Sequence, residues 1–154
     1  MTEPSIYLLQ AQANEESAKI AQKDFPEWAI IMYFYAALHL INDYALEVNQ
    51  IDILKVDEDS KISQHSLRRK YVKDISDYIN CKDLQANYNF LFNESLLARY
   101  LVNKNDILEC SAREYYSQYT HKDFLKIREK LEQIKIRLEQ ARKKYKASKS
   151  SKNN

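Results

Sequence analysis

The chain has 154 residues, 24 of them Lys or Arg and 22 Asp or Glu, with no glycine and only two prolines, Pro4 and Pro26. That length fits one domain, able to bury roughly two thirds of its unfolded surface without staples. The missing glycine excludes the tight hairpin turns, phosphate-cradling loops and dinucleotide-binding loops that depend on it. The longest apolar run, Ala29 to Leu38, is too short to span a bilayer, and no basic start followed by an apolar block marks a signal peptide. Cys81 and Cys110 are separated by 28 residues, unlike a metal or redox couplet. The expectation is a cytoplasmic protein with reduced thiols and no membrane partner.

In chain order the periodicity predicts helices. The first covers residues 5 to 23, with Pro4 near its start. The second runs from 26 to 48, where Asp24, Pro26 and Glu27 read as a capping acid, a first-turn proline and a glutamate three residues after the cap. Ile30, Phe34, Ala37, Ile41, Tyr44 and Val48 form its apolar seam, and Trp28, Met32 and Leu38 add apolar surface elsewhere, so it reads as the central helix, nearly surrounded by protein. Residues 49 to 62, with Asp57, Glu58 and Asp59, read as a loop. Further helices are expected at 63 to 79 and 84 to 102, and Ser111 to Glu114 reads as a capping box opening a short one. In the last helix Phe124, Ile127, Leu131, Ile134, Leu138, Ala141 and Tyr145 alternate spacings of three and four, with Thr120 and Asp123 placed to cap its start. An all-α antiparallel bundle of four to five main helices over residues 1 to 146 follows.

Charge is uneven. Residues 140 to 154 carry Arg142, Lys143, Lys144, Lys146, Lys149 and Lys152 and no acid; without those six, 18 basic residues face 22 acidic ones. The net +2 therefore comes from this end, which could hold nucleic acid non-specifically, although residues 147 to 154 read rather as a solvated, disordered basic tail.

Polar groups recur on apolar helix faces. Tyr35, His39, Asp43 and Glu47 stand every fourth residue on the second helix; His65 and Arg68 extend the Val72, Ile75, Ile79 face of the third; Tyr88, Phe92, Ser95, Arg99 and Val102 share a face of the fourth. A buried guanidinium needs a carboxylate, a carbonyl or a ligand. Two accounts satisfy that need. In one, Asp43 or Glu47 pairs with Arg99 or Arg68, and His39 or His65 donates to a carbonyl. In the other, the arginines hold a phosphodiester by bidentate contacts and a histidine moves the 2′-hydroxyl or leaving-group proton, with no metal or cofactor required. On that account His65, Arg68 and Arg99 are the catalytic candidates, and Tyr35, His39, Asp43, Tyr88, Ser95 and Tyr100 the binding or polar network. His121, at the start of the last helix, reads as a capping or exposed residue.

The segments DFPEWAIIMYFYAALHLINDYA (24 to 45), SQHSLRR (63 to 69) and YNFLFNESLLARY (88 to 100) together resemble small HEPN-like proteins, over roughly residues 24 to 102. His39, His65, Arg68, Arg99 and Tyr100 fall in the characteristic segments. The resemblance implies a helical bundle that pairs into homodimers or with a protein from its own operon. It also implies an RNA-handling role in bacterial or mobile-element defence or toxin–antitoxin systems, as a metal-independent ribonuclease or a degenerate relative. One departure stands out: the family's Arg and His are separated by four to six residues, whereas Arg113 and His121 here are separated by seven. The reading from another class is a non-enzymatic interaction module whose last helix contacts a partner.

Overall fold

The computed structural model describes residues 3–57, 59 and 61–152. Among these it contains α1 (Ile6–Ala21), α2 (Pro26–Glu47), a 3-10 turn (Ile51–Leu54), α3 (Gln64–Tyr78), α4 (Asp83–Tyr100), α5 (Ala112–Tyr116) and α6 (His121–Lys152), with no strand. The all-α bundle is as the periodicity predicts. Glu58 of the acidic loop, and Asn153 and Asn154, lie outside the described residues.

Helix α2 is the axis. Fifteen of its 22 residues are buried, and α1, α4, α5, α6 and α3 pack around it. Each residue of its predicted seam is 3 % exposed or less, whereas Trp28 stands 54 % exposed beside the entry to the helix. Pro26–Glu47 is the one helix among the described residues long and apolar enough to cross a membrane, and its burial here is that of a core helix. Helix α6 buries Phe124, Ile127, Leu131, Ile134, Leu138 and Ala141 to 2 % exposure or less, so its apolar stripe closes the core against α4 and α2.

The helix ends show how a chain without glycine turns. Asn49 (φ 59°) and Asn80 (φ 52°) take the left-handed position after α2 and α3. Each lets the next amide reach back into the helix, Gln50 N to Ala45 O at 2.7 Å and Cys81 N to Ser76 O at 2.9 Å. Asparagine is the usual substitute for glycine there, because its short side chain tolerates that conformation. Leu101 (φ 65°) is left-handed at the end of α4, its own amide donating to the Leu97 carbonyl at 3.0 Å, and a short bridge between Val102 and Ile107 folds the chain back. At the N-termini, the Ser5, Ser63 and Ser111 hydroxyls accept from the amides of Leu8, Ser66 and Glu114, and Thr120 and Asp123 cap α6 reciprocally.

Two local expectations are corrected. Asp24 does not cap α2: proline at the first helical position makes its predecessor, Phe25, the boundary residue, with no side-chain cap. Glu27 turns inward instead, at 7 % exposure, and accepts from the Arg113 Nε and Nη2, each at 2.9 Å. The basic end is helical as far as Lys152 rather than disordered from residue 147. Nothing in residues 147–152 breaks a helix, and the Ser148 and Ser151 hydroxyls bond back to the carbonyls of Tyr145 and Ala147.

Candidate functional site

Positions 35, 39, 43 and 47 of α2 do not share one environment. A step of four residues overshoots the helical turn by about 40°, so three steps rotate a side chain by about 120° around the axis. Tyr35 and His39 accordingly face α4, α3 and Tyr7 of α1, whereas Asp43 and Glu47 face α6, with Asp43 also meeting the Ser5 cap of α1. There Arg142 Nη2 lies 2.9 Å from Asp43 and its Nε 2.5 Å from Glu47, with the Ser5 hydroxyl donating to Asp43 at 2.6 Å. Asp43 thus belongs to a separate ion-pair network, and the carboxylate partners considered for Arg68 and Arg99 are held by another arginine.

The remaining residues converge where α2, α3 and α4 meet. Arg99 donates through Nη1 to the Tyr35 hydroxyl at 3.1 Å, through Nη2 to the Ser95 Oγ at 3.2 Å and through Nε to the Ser95 carbonyl at 3.2 Å. Its guanidinium also lies 5.6 Å from the Tyr35 ring and 5.1 Å from that of Tyr100, which is 62 % exposed. Arg68 donates to the Asn42 Oδ1 at 3.0 Å, and the Asn42 Nδ2 lies 3.4 Å from the His39 Nδ1. The His39 imidazole stacks on Tyr7 of α1 at 6.3 Å. His65 sits among Phe34, Phe92 and Tyr35, with ring centroids 5.6 to 6.4 Å away.

Among the described residues neither Arg68 nor Arg99 forms an ion pair. Both are half-buried, so their charge is compensated by neutral hydroxyls, an amide and a carbonyl. The effect on neighbouring imidazoles is direct. Burial first, then the Arg99 and Arg68 guanidinium groups, push His65 below its ordinary pKa; burial and Arg68 do the same to His39. Burial also lowers Arg68. Two buried polar atoms of this region, the His65 Nδ1 and the Tyr88 hydroxyl, have no hydrogen-bond partner among the described residues, although Tyr88 has no solvent exposure. Buried polar groups without a partner are uncommon, and they mark places where a water or a ligand group fits.

The structure therefore brings Tyr35, His39, His65, Arg68, Tyr88, Ser95, Arg99 and Tyr100 to one region and places Asp43 in another. Among the described residues neither His39 nor His65 donates to a carbonyl. Of the two residues at the departed family spacing, Arg113 is neutralised by Glu27 and lies over the Phe25 ring at 4.9 Å, and His121 is exposed at the first turn of α6. Sequence reasoning missed Asn42 and Tyr7. Asn42 was legible, three residues beyond His39 on the same stripe; the approach of Tyr7 is a tertiary contact with no local signal. No family model, no curated protein and no solved structure matches this chain.

Proposed function

We propose that this region binds a phosphodiester and that the chain is a cytoplasmic, HEPN-like RNA-handling protein of a bacterial or mobile-element defence or toxin–antitoxin locus, acting as a homodimer or with an operon partner. The single observation that carries the reading is the pair of half-buried guanidinium groups, Arg68 and Arg99, which have no carboxylate partner among the described residues and stand beside a depressed imidazole. A site that keeps cations half-desolvated and leaves them unneutralised is poised for an anion. Arginine supplies the planar donors that match phosphate oxygens, and among the described residues Arg68 engages only its Nε in a hydrogen bond.

The same geometry supports transesterification at the RNA 2′-hydroxyl. The neutral His65 imidazole is in the state a general base requires, and it takes the 2′-hydroxyl proton as that oxygen attacks phosphorus. Arg99 and Arg68 balance the charge that develops on the phosphate oxygens, and as the bond from phosphorus to the 5′-oxygen breaks, the proton held by His65 passes, directly or through water, to the leaving oxygen. Tyr7 beside His39 and the exposed Tyr100 beside Arg99 offer ring faces to unpaired bases.

The test is incubation of labelled single-stranded RNA with purified wild type, His65→Ala and Arg99→Ala. Cleavage by wild type, lost in both variants, is the expected result. Cleavage that survives both substitutions, or none on any RNA, removes the nuclease version, and RNA binding that Arg99→Ala leaves unchanged removes the phosphodiester site.

A further inference from the structure

One helical turn beyond Arg68 on α3 lies a second feature that the phosphodiester site does not use. Tyr44, Tyr71, Tyr78 and Tyr145 line a pocket of about 330 Å³, with Asp74 and Gln50 at its edge. Tyr44 and Tyr71 are buried, their rings 6.4 Å apart, and form its floor; Tyr78 is 37 % exposed and Tyr145 half-buried. The volume falls at the small end of the range for small-molecule sites.

The polar groups are arranged with a definite sense. The Tyr71 hydroxyl donates to the Gln50 Oε1 at 2.7 Å, which occupies the amide oxygen and leaves the amide NH2 as the group able to address a ligand. Asp74 is exposed and forms no ion pair among the described residues, so its carboxylate remains an acceptor. Outside the pocket stand cations of α6: the Lys144 Nζ lies 4.4 Å from the Tyr78 ring and the Lys149 Nζ 5.2 Å from that of Tyr145. The interior is thus aromatic with Ile53 and Ile75 beside the rings, the Gln50 NH2 and the Asp74 carboxylate add a donor and an acceptor to the tyrosine and Ser148 hydroxyls, and the surround is basic. An organic cation would suit Asp74 but not the lysines. A flat, uncharged ring system attached to phosphate suits all three.

We infer that this pocket takes one unpaired nucleotide with guanine as the preferred base, its ring stacked on the tyrosines and its phosphate towards Lys144 and Lys149. Guanine's pairing edge offers a carboxylate two adjacent N–H donors, which Asp74 accepts, beside a carbonyl that the Gln50 NH2 reaches. The nucleotide is either part of a strand or free. The strand version rests on the RNA reading above and makes the pocket a second contact point on the α2–α3 seam.

The experiment has two arms, each run on wild type, Asp74→Asn and Tyr78→Leu, the last chosen because its ring is exposed enough to remove without unfolding the protein. One arm measures fluorescence anisotropy of uridine-rich RNA oligomers with and without a single guanosine; the other measures calorimetric titration with GMP, IMP and AMP. A guanine preference that vanishes in Asp74→Asn, with affinity falling about ten-fold in Tyr78→Leu, supports the pocket, and the arm in which it appears identifies strand or free nucleotide. RNA binding with no base preference, unaltered by either substitution and accompanied by no GMP binding, overturns the pocket while leaving the phosphodiester site standing. If wild type binds no RNA, the strand version falls together with the proposed function, and absence of GMP binding then overturns the rest.

Discussion

The same substitution at two arginines should give opposite results. Arg142 and Arg99 are both half-buried and both become methionine without a large change in volume. Arg142→Met leaves Asp43, whose side chain is 14 % exposed, without its cation, with the Ser5 hydroxyl as its remaining partner among the described residues. Removing one partner of a fully buried pair costs about 3–5 kcal/mol, and access to water at this site reduces that to about 2 kcal/mol. For a chain of this size the loss lowers the melting temperature by about 4–8 °C. Arg99→Met removes a cation that pairs with no carboxylate among the described residues. It forfeits hydrogen bonds to Tyr35 and Ser95 but relieves the desolvated charge, so its stability should stay within about 1 kcal/mol of wild type. Differential scanning calorimetry at low salt, with and without inorganic phosphate, measures both. Phosphate at 100 times its Kd should stabilise wild type and Arg142→Met by about 2.7 kcal/mol and leave Arg99→Met unmoved. Equal destabilisation by the two substitutions, with no phosphate effect in any of the three proteins, would show that Arg99 serves the fold.

Three further outcomes are expected. His39 and His65 are depressed in the folded chain, so the unfolded chain binds protons first as pH falls below the ordinary histidine value; stability measured by urea denaturation should decline from pH 7 towards acid, and His65→Phe should flatten that slope. Asn80→Gly should leave stability nearly unchanged while Asn80→Ala costs about 1 kcal/mol, because only the β-carbon without a compensating polar group is penalised at φ 52°; paired melting curves check it. Glu94 accepts from the hydroxyls of buried Tyr116 and of Tyr119, at 2.7 and 3.2 Å, so Glu94→Leu should cost about 2–3 kcal/mol by the same denaturation assay.

How the fold could be read and the site only partly read has a physical explanation. The α2 seam, the α6 stripe and the serine and threonine caps are local: a three-or-four spacing decides which face is buried, and a hydroxyl three residues from an amide decides where a helix starts. The partners of Arg68 and Arg99 are decided between helices. A four-residue spacing suggests that Asp43 and Glu47 continue the face of Tyr35 and His39, yet the rotation accumulated over twelve residues carries them to α6, where Arg142 waits 99 positions further along the chain. The tyrosine pocket is harder still. Its rings come from positions 44, 71, 78 and 145, none of which is distinctive in a chain with twelve tyrosines.

Arg68 and Arg99 stand without a carboxylate partner among the described residues, and titration of single-stranded RNA against wild type and an Arg68→Met/Arg99→Met double variant over a range of salt concentrations tests most directly whether they serve a phosphate. The double variant, with its fold verified by calorimetry, should bind at least ten-fold more weakly, and its affinity should depend less steeply on salt, by about 0.7 in the logarithmic slope for each phosphate that the protein no longer neutralises. Equal affinities and equal slopes would contradict the account.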